Sequence, residues 1–218
     1  MTNIHFNIII PTYNAEKWIK RCIDMVYNQT YKEFRCIIIT DCPTDKTKEV
    51  IDSLDYIKND ARFVIKHNKK RQFALKNIYD GFNILKTYER PEDVNMVIDG
   101  DDWLFSEYVL ELLAKVYREN GCYATYGNYI KYPTGEKGIS ELIPYEVIKN
   151  NAFREHKWVA WQLRTFKSKL WNKIDCETAF KDAKGRWFDV VYDLAFMFPI
   201  LEMSAERTLF IENFIYVY

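Results

Sequence analysis

The chain has 218 residues, 48% of them hydrophobic, a length that suits one large domain or a tight pair of half-domains. Basic and acidic residues balance at 31 each, so the net charge of zero gives no electrostatic reason to expect nucleic acid or an anionic membrane as a partner. Five cysteines without a CxxC pair argue against a disulfide framework and for a reducing compartment.

No apolar run approaches the roughly 20 residues of a membrane span, and the N-terminal run in MTNIHFNIII is too short for a signal sequence. We therefore expect a cytoplasmic protein without an integral membrane segment. The sequence ends in the strand-like FIYVY, a pattern compatible with a longer protein that continues past Tyr218.

The first half of the chain alternates between strand and helix patterns. Residues 6–10 are apolar and β-branched and stop at Pro11, which predicts a strand, and apolar residues recur at helical spacing over 15–27. The near-continuous apolar run FRCIIIT, 34–40, predicts a buried parallel strand. Then follow a predicted helix 44–56, strand 62–66, helix 73–88 and strand 95–98. This order predicts an α/β fold with a mostly parallel central sheet and helices on both faces.

The second half is less regular. Its patterns predict a helix at 107–119, a strand at 123–132 with a hairpin at PTGEKG, helices at 167–174 and 190–203, and a last strand at 208–217. No Pro/Gly/Ser-rich linker separates the halves. We therefore expect a single domain, 1–218, with a nucleotide-binding half at 1–104 and a more variable acceptor-side half at 105–218.

Polar residues follow each of the first four predicted strands, where ligands bind in open parallel sheets. Pro11-Thr12-Tyr13-Asn14 follows the first strand and Asp41 the second, a basic run ending at Arg71 follows the third, and Asp99-Gly100-Asp101-Asp102 follows the fourth. An aromatic ring, a lone carboxylate, cations and an acidic cluster at one edge suit a nucleoside diphosphate.

The stretch VIDGDDWL places three carboxylates, Asp99, Asp101 and Asp102, within four residues. Carboxylates without neighbouring Cys or His form a hard oxygen site that prefers Mg²⁺ or Mn²⁺, and substrate phosphates often complete the shell of ligands. Gly100 lets the backbone come close to a ligand. The alternative is helix capping, since Asp102 or Ser106 can cap the predicted helix at 107–119.

Three motifs in order, PTYN, TDCPTD and IDGDDW, resemble those of the family-2 glycosyltransferases of the GT-A fold, over residues 6–103. The resemblance implies a hexosyltransferase-type enzyme that uses Mn²⁺ or Mg²⁺ and inverts the anomeric carbon. The implied donor is a nucleotide sugar, with a UDP-sugar expected. The implied acceptor is a hydroxyl of a glycan or of a protein-linked or lipid-linked sugar.

The resemblance also suggests roles for single residues. Tyr13 resembles the aromatic that stacks near the base, and Asp41 resembles the aspartate that hydrogen-bonds uracil. Arg71 resembles an arginine near the uracil and phosphates, with Lys76 as the second choice. Asp99, Asp101 and Asp102 resemble the ribose and metal cluster, with Asp101 or Asp102 as the direct metal ligand. Pro11 and Gly100 complete the expected donor contacts. The sequence departs from the family pattern at Thr40 and Pro43.

Glycosyl transfer also needs a carboxylate that removes the acceptor proton. The family places an aspartate at the start of a late helix, and Asp193 fits because it begins the apolar run DLAFMFPILEM. Asp189 is the fallback. Either carboxylate has a structural alternative as a helix cap or a partner of the helix dipole.

Two other functions compete with this interpretation. A nucleotidyl or phosphoryl transferase would be expected to carry a glycine-rich phosphate loop such as GxxxxGK[ST], and PTYNAEKW contains no glycine. A non-catalytic nucleotide- or sugar-binding domain of the same fold would be expected to lack a complete acidic cluster or a base. The sequence offers candidates for both.

Overall fold

The computed structural model describes residues 3–218, which form one eight-stranded sheet with helices on both faces. The strands are β1 (Phe6–Thr12), β2 (Phe34–Thr40), β3 (Phe63–His67), β4 (Val94–Val97), β5 (Trp103–Leu104), β6 (Ala124–Ile130), β7 (Thr165–Lys167) and β8 (Thr208–Val217). The helices are α1 (Ile19–Tyr27), α2 (Thr47–Asp52), α3 (Asp55–Lys58), α4 (Phe73–Leu85), α5 (Val109–Asn120), α6 (Tyr145–Lys149), α7 (Ser168–Trp171), α8 (Cys176–Ala179) and α9 (Tyr192–Ser204). A short 3₁₀ helix, Ala205–Arg207, precedes β8.

The sheet order is β3-β2-β1-β4-β7-β6-β8-β5. The pairs β1–β2, β2–β3, β1–β4 and β6–β8 are parallel, and β4–β7, β6–β7 and β5–β8 are antiparallel. The strands β1 to β4 are therefore parallel, and their carboxyl ends meet at one edge. The predicted α/β class is confirmed by this arrangement.

The core lies in two layers because successive side chains of a strand point to opposite faces of the sheet. In β1, Ile8 and Ile10 pack with the buried residues of α1, α2 and α5, whereas Ile9 packs on the other face with those of α4, α7 and α9. All seven residues of β1 are buried. This double burial explains why the central strands read as continuous apolar runs.

The structure departs from the predicted elements in several places, and α6 and α8 had no predicted counterpart. The helix predicted at 44–56 is two short helices, α2 and α3, separated at Ser53, whose hydroxyl donates to the Val50 carbonyl at 2.7 Å. Such local bonds compete with helix continuation. A helix was predicted at 167–174. In the structure Lys167 is the last residue of β7, and the helix that follows, α7, is a single turn. The two-residue strand β5 carried no periodicity that could have predicted it.

The helix α9 is almost continuously apolar, yet it belongs to the core. Its 13 residues span about 20 Å at 1.5 Å per residue, less than the roughly 30 Å of a bilayer interior. It packs against α4, α7 and β6. Across residues 3–218, no helix has the length and apolarity that crossing a membrane requires.

Candidate active site

A cavity of about 570 Å³ opens at the carboxyl ends of β1, β2 and β4. This volume is within the range of small-molecule sites. Most of the predicted donor-site residues line it together: Pro11, Tyr13, Asp41, Arg71, Asp99, Gly100, Asp101 and Asp102. Lys76 and Asp193 lie outside the set of described residues that line the cavity. Lys76 instead pairs with Asp80, one helical turn further along α4.

One end of the cavity combines an aromatic ring, a guanidinium and a carboxylate. The Arg71 guanidinium lies 3.4 Å from the centre of the Tyr13 ring and 4.9 Å from that of Phe73. Its Nε lies 3.9 Å from Asp41 Oδ2. Arginine stacks readily on aromatic faces, so Arg71 covers one face of Tyr13 and stays beside the carboxylate.

Asp41 holds the loop that leads into α4. Its Oδ1 accepts hydrogen bonds from Asn68 Nδ2 at 2.9 Å and from the Gln72 amide at 2.8 Å, and its Oδ2 accepts one from the Phe73 amide at 2.8 Å. A carboxylate offers about four acceptor positions, so one remains for a ligand N–H. Sequence reasoning predicted the ligand contact and missed this second task, because the partners lie 27 to 32 residues away.

The other end of the cavity holds the acidic cluster. Asp101 is exposed, whereas Asp102 is buried and its Oδ2 accepts a hydrogen bond from the Tyr216 hydroxyl at 2.9 Å. Burial, reinforced by the charges of Asp99 and Asp101, raises the pKa of Asp102 to about 8. Burial also raises the pKa of Asp99, against the effect of a hydrogen bond from Tyr192. Crowded like charges in a buried place favour protonation unless a cation balances them.

The acidic cluster suits a cation that arrives together with phosphates. Within residues 3–218, no group of three or more His, Cys, Asp and Glu side chains is placed to hold a metal alone. Asp101 and Asp102 could supply hard oxygen ligands, and Mg²⁺ and Mn²⁺ sites often use only one or two carboxylates with substrate phosphates. Thr12 also lines the cavity, and its buried hydroxyl has no hydrogen-bond partner among the described residues.

Gly100 is required by the close approach of the acidic loop to β1. Its amide donates to the Pro11 carbonyl at 3.2 Å. A Cβ at this position would lie 3.2 Å from Thr12 Cα and would overlap the Thr12 side chain. The absence of a side chain therefore lets the acidic cluster sit against the end of β1.

The candidate bases differ in their surroundings. Asp193 Oδ2 accepts a hydrogen bond from Arg164 Nη1 at 2.6 Å, and Arg164 is buried. Asp189, the fallback, lines the cavity. The Arg164 pairing gave no signal in the sequence, because the partners lie 29 residues apart.

An aromatic wall closes the cavity beside the acidic cluster. Trp18, Trp103 and Tyr132 all line it, with centroid distances of 6.0 Å for Trp18–Trp103 and 5.6 Å for Trp18–Tyr132. The Arg21 guanidinium lies 3.9 Å from the Trp103 ring centre. None of these three side chains was assigned to the site from the sequence.

Comparison with known proteins identifies the family. The sequence model described as glycosyl transferase family 2 matches residues 7–193. The chain belongs to this family. The resemblance predicted from the three motifs is confirmed, and with it the class of glycosyltransferases.

Relatives in the curated set carry the same class of name. The chain is 25% identical to glycosyltransferase GlyG of Streptococcus pneumoniae serotype 4, over 97% of this chain and 69% of GlyG. It is 20% identical to glycosyltransferase GlyA of the same organism, over 97% of this chain and 30% of GlyA. The chain thus spans about two thirds of the first relative and under a third of the second.

Solved structures share the fold. Staphylococcus aureus TarS 1–349 in complex with UDP-GlcNAc superposes with a TM-score of 0.67 at 16% identity, over 99% of this chain and 58% of that chain. The mannosyltransferase PcManGT from Pyrobaculum calidifontis, in complex with GDP-Man and Mn²⁺, gives 0.65 at 17% identity, over all of this chain and 57% of that chain. At these identities the likeness establishes the fold.

Proposed function

We propose that this chain transfers a sugar from a nucleotide-sugar donor to a hydroxyl of a glycan or glycoconjugate, with Mn²⁺ or Mg²⁺ and with inversion of the anomeric carbon. The observation that carries the proposal is the single cavity at the carboxyl ends of β1, β2 and β4. It combines the Tyr13, Arg71 and Asp41 end with the acidic cluster. A nucleotide base and a metal-bound diphosphate need these two chemistries side by side.

The donor proposed is a UDP-sugar. The free acceptor position on Asp41 suits the ring N–H of uracil, and Tyr13 and Arg71 offer a stacking surface beside it. A structural neighbour is described as a complex with UDP-GlcNAc, and another as a complex with GDP-Man and Mn²⁺. GDP is therefore the most informative comparison ligand.

The proposed reaction is a direct displacement. The acceptor oxygen attacks the anomeric carbon, the bond from that carbon to the diphosphate breaks, and its electron pair leaves with the diphosphate. A divalent cation held by Asp101 and Asp102 would neutralise the charge that develops on this leaving group. Asp193 is proposed to accept the acceptor proton, with Asp189 as the alternative because it lines the cavity.

Calorimetric titration of UDP, GDP and CMP, each with and without Mn²⁺, tests the donor site directly. The expected result is binding of UDP that depends on Mn²⁺ and is tighter than binding of GDP or CMP. Preferential binding of GDP or CMP would keep the transferase and replace the proposed donor. Failure to bind any of the three would contradict the proposed activity and favour a non-catalytic domain.

A further inference from the structure

Two tyrosines from the second half of the chain bond to the acidic cluster. The hydroxyl of Tyr192, the first residue of α9, donates to Asp99 Oδ1 at 2.5 Å. The hydroxyl of Tyr216, in β8, accepts from the Asp99 amide at 3.1 Å and donates to Asp102 at 2.9 Å. The partners in these contacts lie 93 to 117 residues apart, so both join the two halves of the chain at the cavity.

The start of α9 lacks the usual capping contact. Its N-cap residue is Val191, which has a left-handed φ of 53° and makes no side-chain hydrogen bond to the helix. A β-branched residue rarely adopts this conformation, and N-caps are normally Ser, Thr, Asp or Asn. The first helical turn is instead held through its side chains, by Tyr192 to Asp99 and by Asp193 to Arg164.

The two side-chain bonds connect the start of α9 to two different parts of the molecule. Arg164 directly precedes β7, which pairs with β4 inside the sheet, so this anchor belongs to the rigid core. Asp99 belongs to the loop that lines the donor cavity. A hydrogen bond from a hydroxyl to a carboxylate is strong, so we expect a shift in the position of Asp99 to alter the position of Tyr192 at the start of α9.

We propose that Tyr192 is a positioning residue that couples the acidic cluster to the start of α9. Occupation of the donor site then orders the helical turn that carries Asp193. This inference rests on the proposed function, because it assigns the donor site and the acceptor-side carboxylate to one reaction. Tyr192 itself need not touch the reacting atoms, since it acts through Asp99 and through the helix that it begins.

Amide hydrogen exchange tests the coupling without a known acceptor. The amides of Phe196 and Met197 bond to the carbonyls of Tyr192 and Asp193 in a regular α-helix, so they report on its first turn. In the ligand-free chain, Tyr192→Phe should speed their exchange by about tenfold, the low end for losing a bond to a charged group. Tyr56→Phe is the matched control, because Tyr56 also donates to an aspartate, Asp24, far from α9.

A second arm adds UDP and Mn²⁺. In the unaltered chain, the exchange of the same amides should slow when both are present. Tyr192 lines the cavity, but Tyr192→Phe keeps its ring and removes only the hydroxyl that bonds to Asp99. UDP should therefore still bind, with a Kd within about threefold of the original, and the exchange of these amides should no longer respond. The exchange of amides in α1, which packs on the opposite face of the sheet, should match that of the unaltered chain, which separates this role from general stability.

Three outcomes would overturn the coupling. They are unchanged ligand-free exchange in Tyr192→Phe, an equal effect of Tyr56→Phe on α9, and a ligand response that survives in Tyr192→Phe. If the unaltered chain binds no UDP with Mn²⁺, the proposed donor is wrong and the coupling to it falls. The ligand-free comparison then still decides whether Tyr192 positions the helix.

Discussion

Substitution of Asp101 best distinguishes an effect on metal binding from an effect on folding, because Asp101 is the exposed member of the acidic cluster. It is exposed, so Asp101→Ala should change the free energy of unfolding by no more than about 0.5 kcal/mol. If it binds the metal directly, the variant should weaken Mn²⁺-dependent UDP binding by about 100-fold or more, since even indirect partners of metal ligands cost 10–100-fold. Calorimetry checks this, with the exposed Asp55→Ala as control. Unchanged UDP binding would rule out Asp101 as a ligand.

Asp193 and Asp189 can be told apart by substitution with asparagine. If Asp193 is the base, Asp193→Asn should keep UDP binding and lower transfer by about 10²- to 10⁴-fold, the usual contribution of a general base. Asp189→Asn should then retain most of the transfer. The measurement is the rate of UDP release in the transfer reaction, with a UDP-sugar donor and an acceptor identified by screening.

The ion pair between Arg164 and Asp193 makes a stability control necessary in this experiment. Asp193→Asn leaves a buried guanidinium without its carboxylate, which destabilises proteins. The melting temperature must therefore be measured beside the rate, and the comparison is made below any new transition. If only Asp189→Asn loses sugar transfer, Asp189 is the base and the assignment to Asp193 is wrong.

At the level of single elements, the close contact between β1 and the acidic loop is the most sensitive feature. Gly100→Ala would force Thr12 and the loop apart, and overpacking of this kind typically costs about 1–3 kcal/mol of unfolding free energy. Because the loop carries Asp99, Asp101 and Asp102, Mn²⁺-dependent UDP binding should fall in the same variant. Chemical denaturation and calorimetry measure the two effects.

A second glycine serves as the control for this element. Gly185 has a positive φ of 74° and open space around it, so Gly185→Ala strains the backbone without touching the cavity. It should lower stability and leave UDP binding intact. Full UDP binding in Gly100→Ala would mean that the loop tolerates displacement from β1.

The elements also explain how far the sequence could predict this molecule. The strands β1, β2 and β4 and the polar residues after them follow from short-range patterns, and the parallel order brings those residues to one edge. The bonds Tyr192–Asp99 and Arg164–Asp193 follow from tertiary packing over 93 and 29 residues, which no local pattern encodes. The bond of Asp193 to Arg164 was unpredictable for the same reason.

On the scale of the whole molecule, one sheet joins the two halves that the sequence distinguished. The strand β7 of the second half pairs with β4 of the first, and β5 next to the acidic cluster pairs with β8 near the end of the described chain. The residues of the cavity therefore come from both halves. Ligand binding at the cavity should stabilise the two halves together.

Global stability should consequently depend on nucleotide and metal jointly. The crowded carboxylates Asp99, Asp101 and Asp102 repel one another. A bound cation would relieve that repulsion, and the diphosphate would complete the cation's shell of ligands. At ligand concentrations 100 times Kd, binding to the folded state adds about 2.7 kcal/mol, or about 5–10 °C in melting temperature for a chain of this size.

Thermal denaturation with UDP and Mn²⁺, with each alone, and with UDP and EDTA measures this shift. Only the first mixture should raise the melting temperature by the full amount, and EDTA should reverse it. The Asp101→Ala variant should lose the shift while Asp55→Ala keeps it, because only the first substitution removes a proposed ligand. An equal shift with UDP and EDTA would show that the nucleotide binds without metal, and the acidic cluster would then need a different explanation.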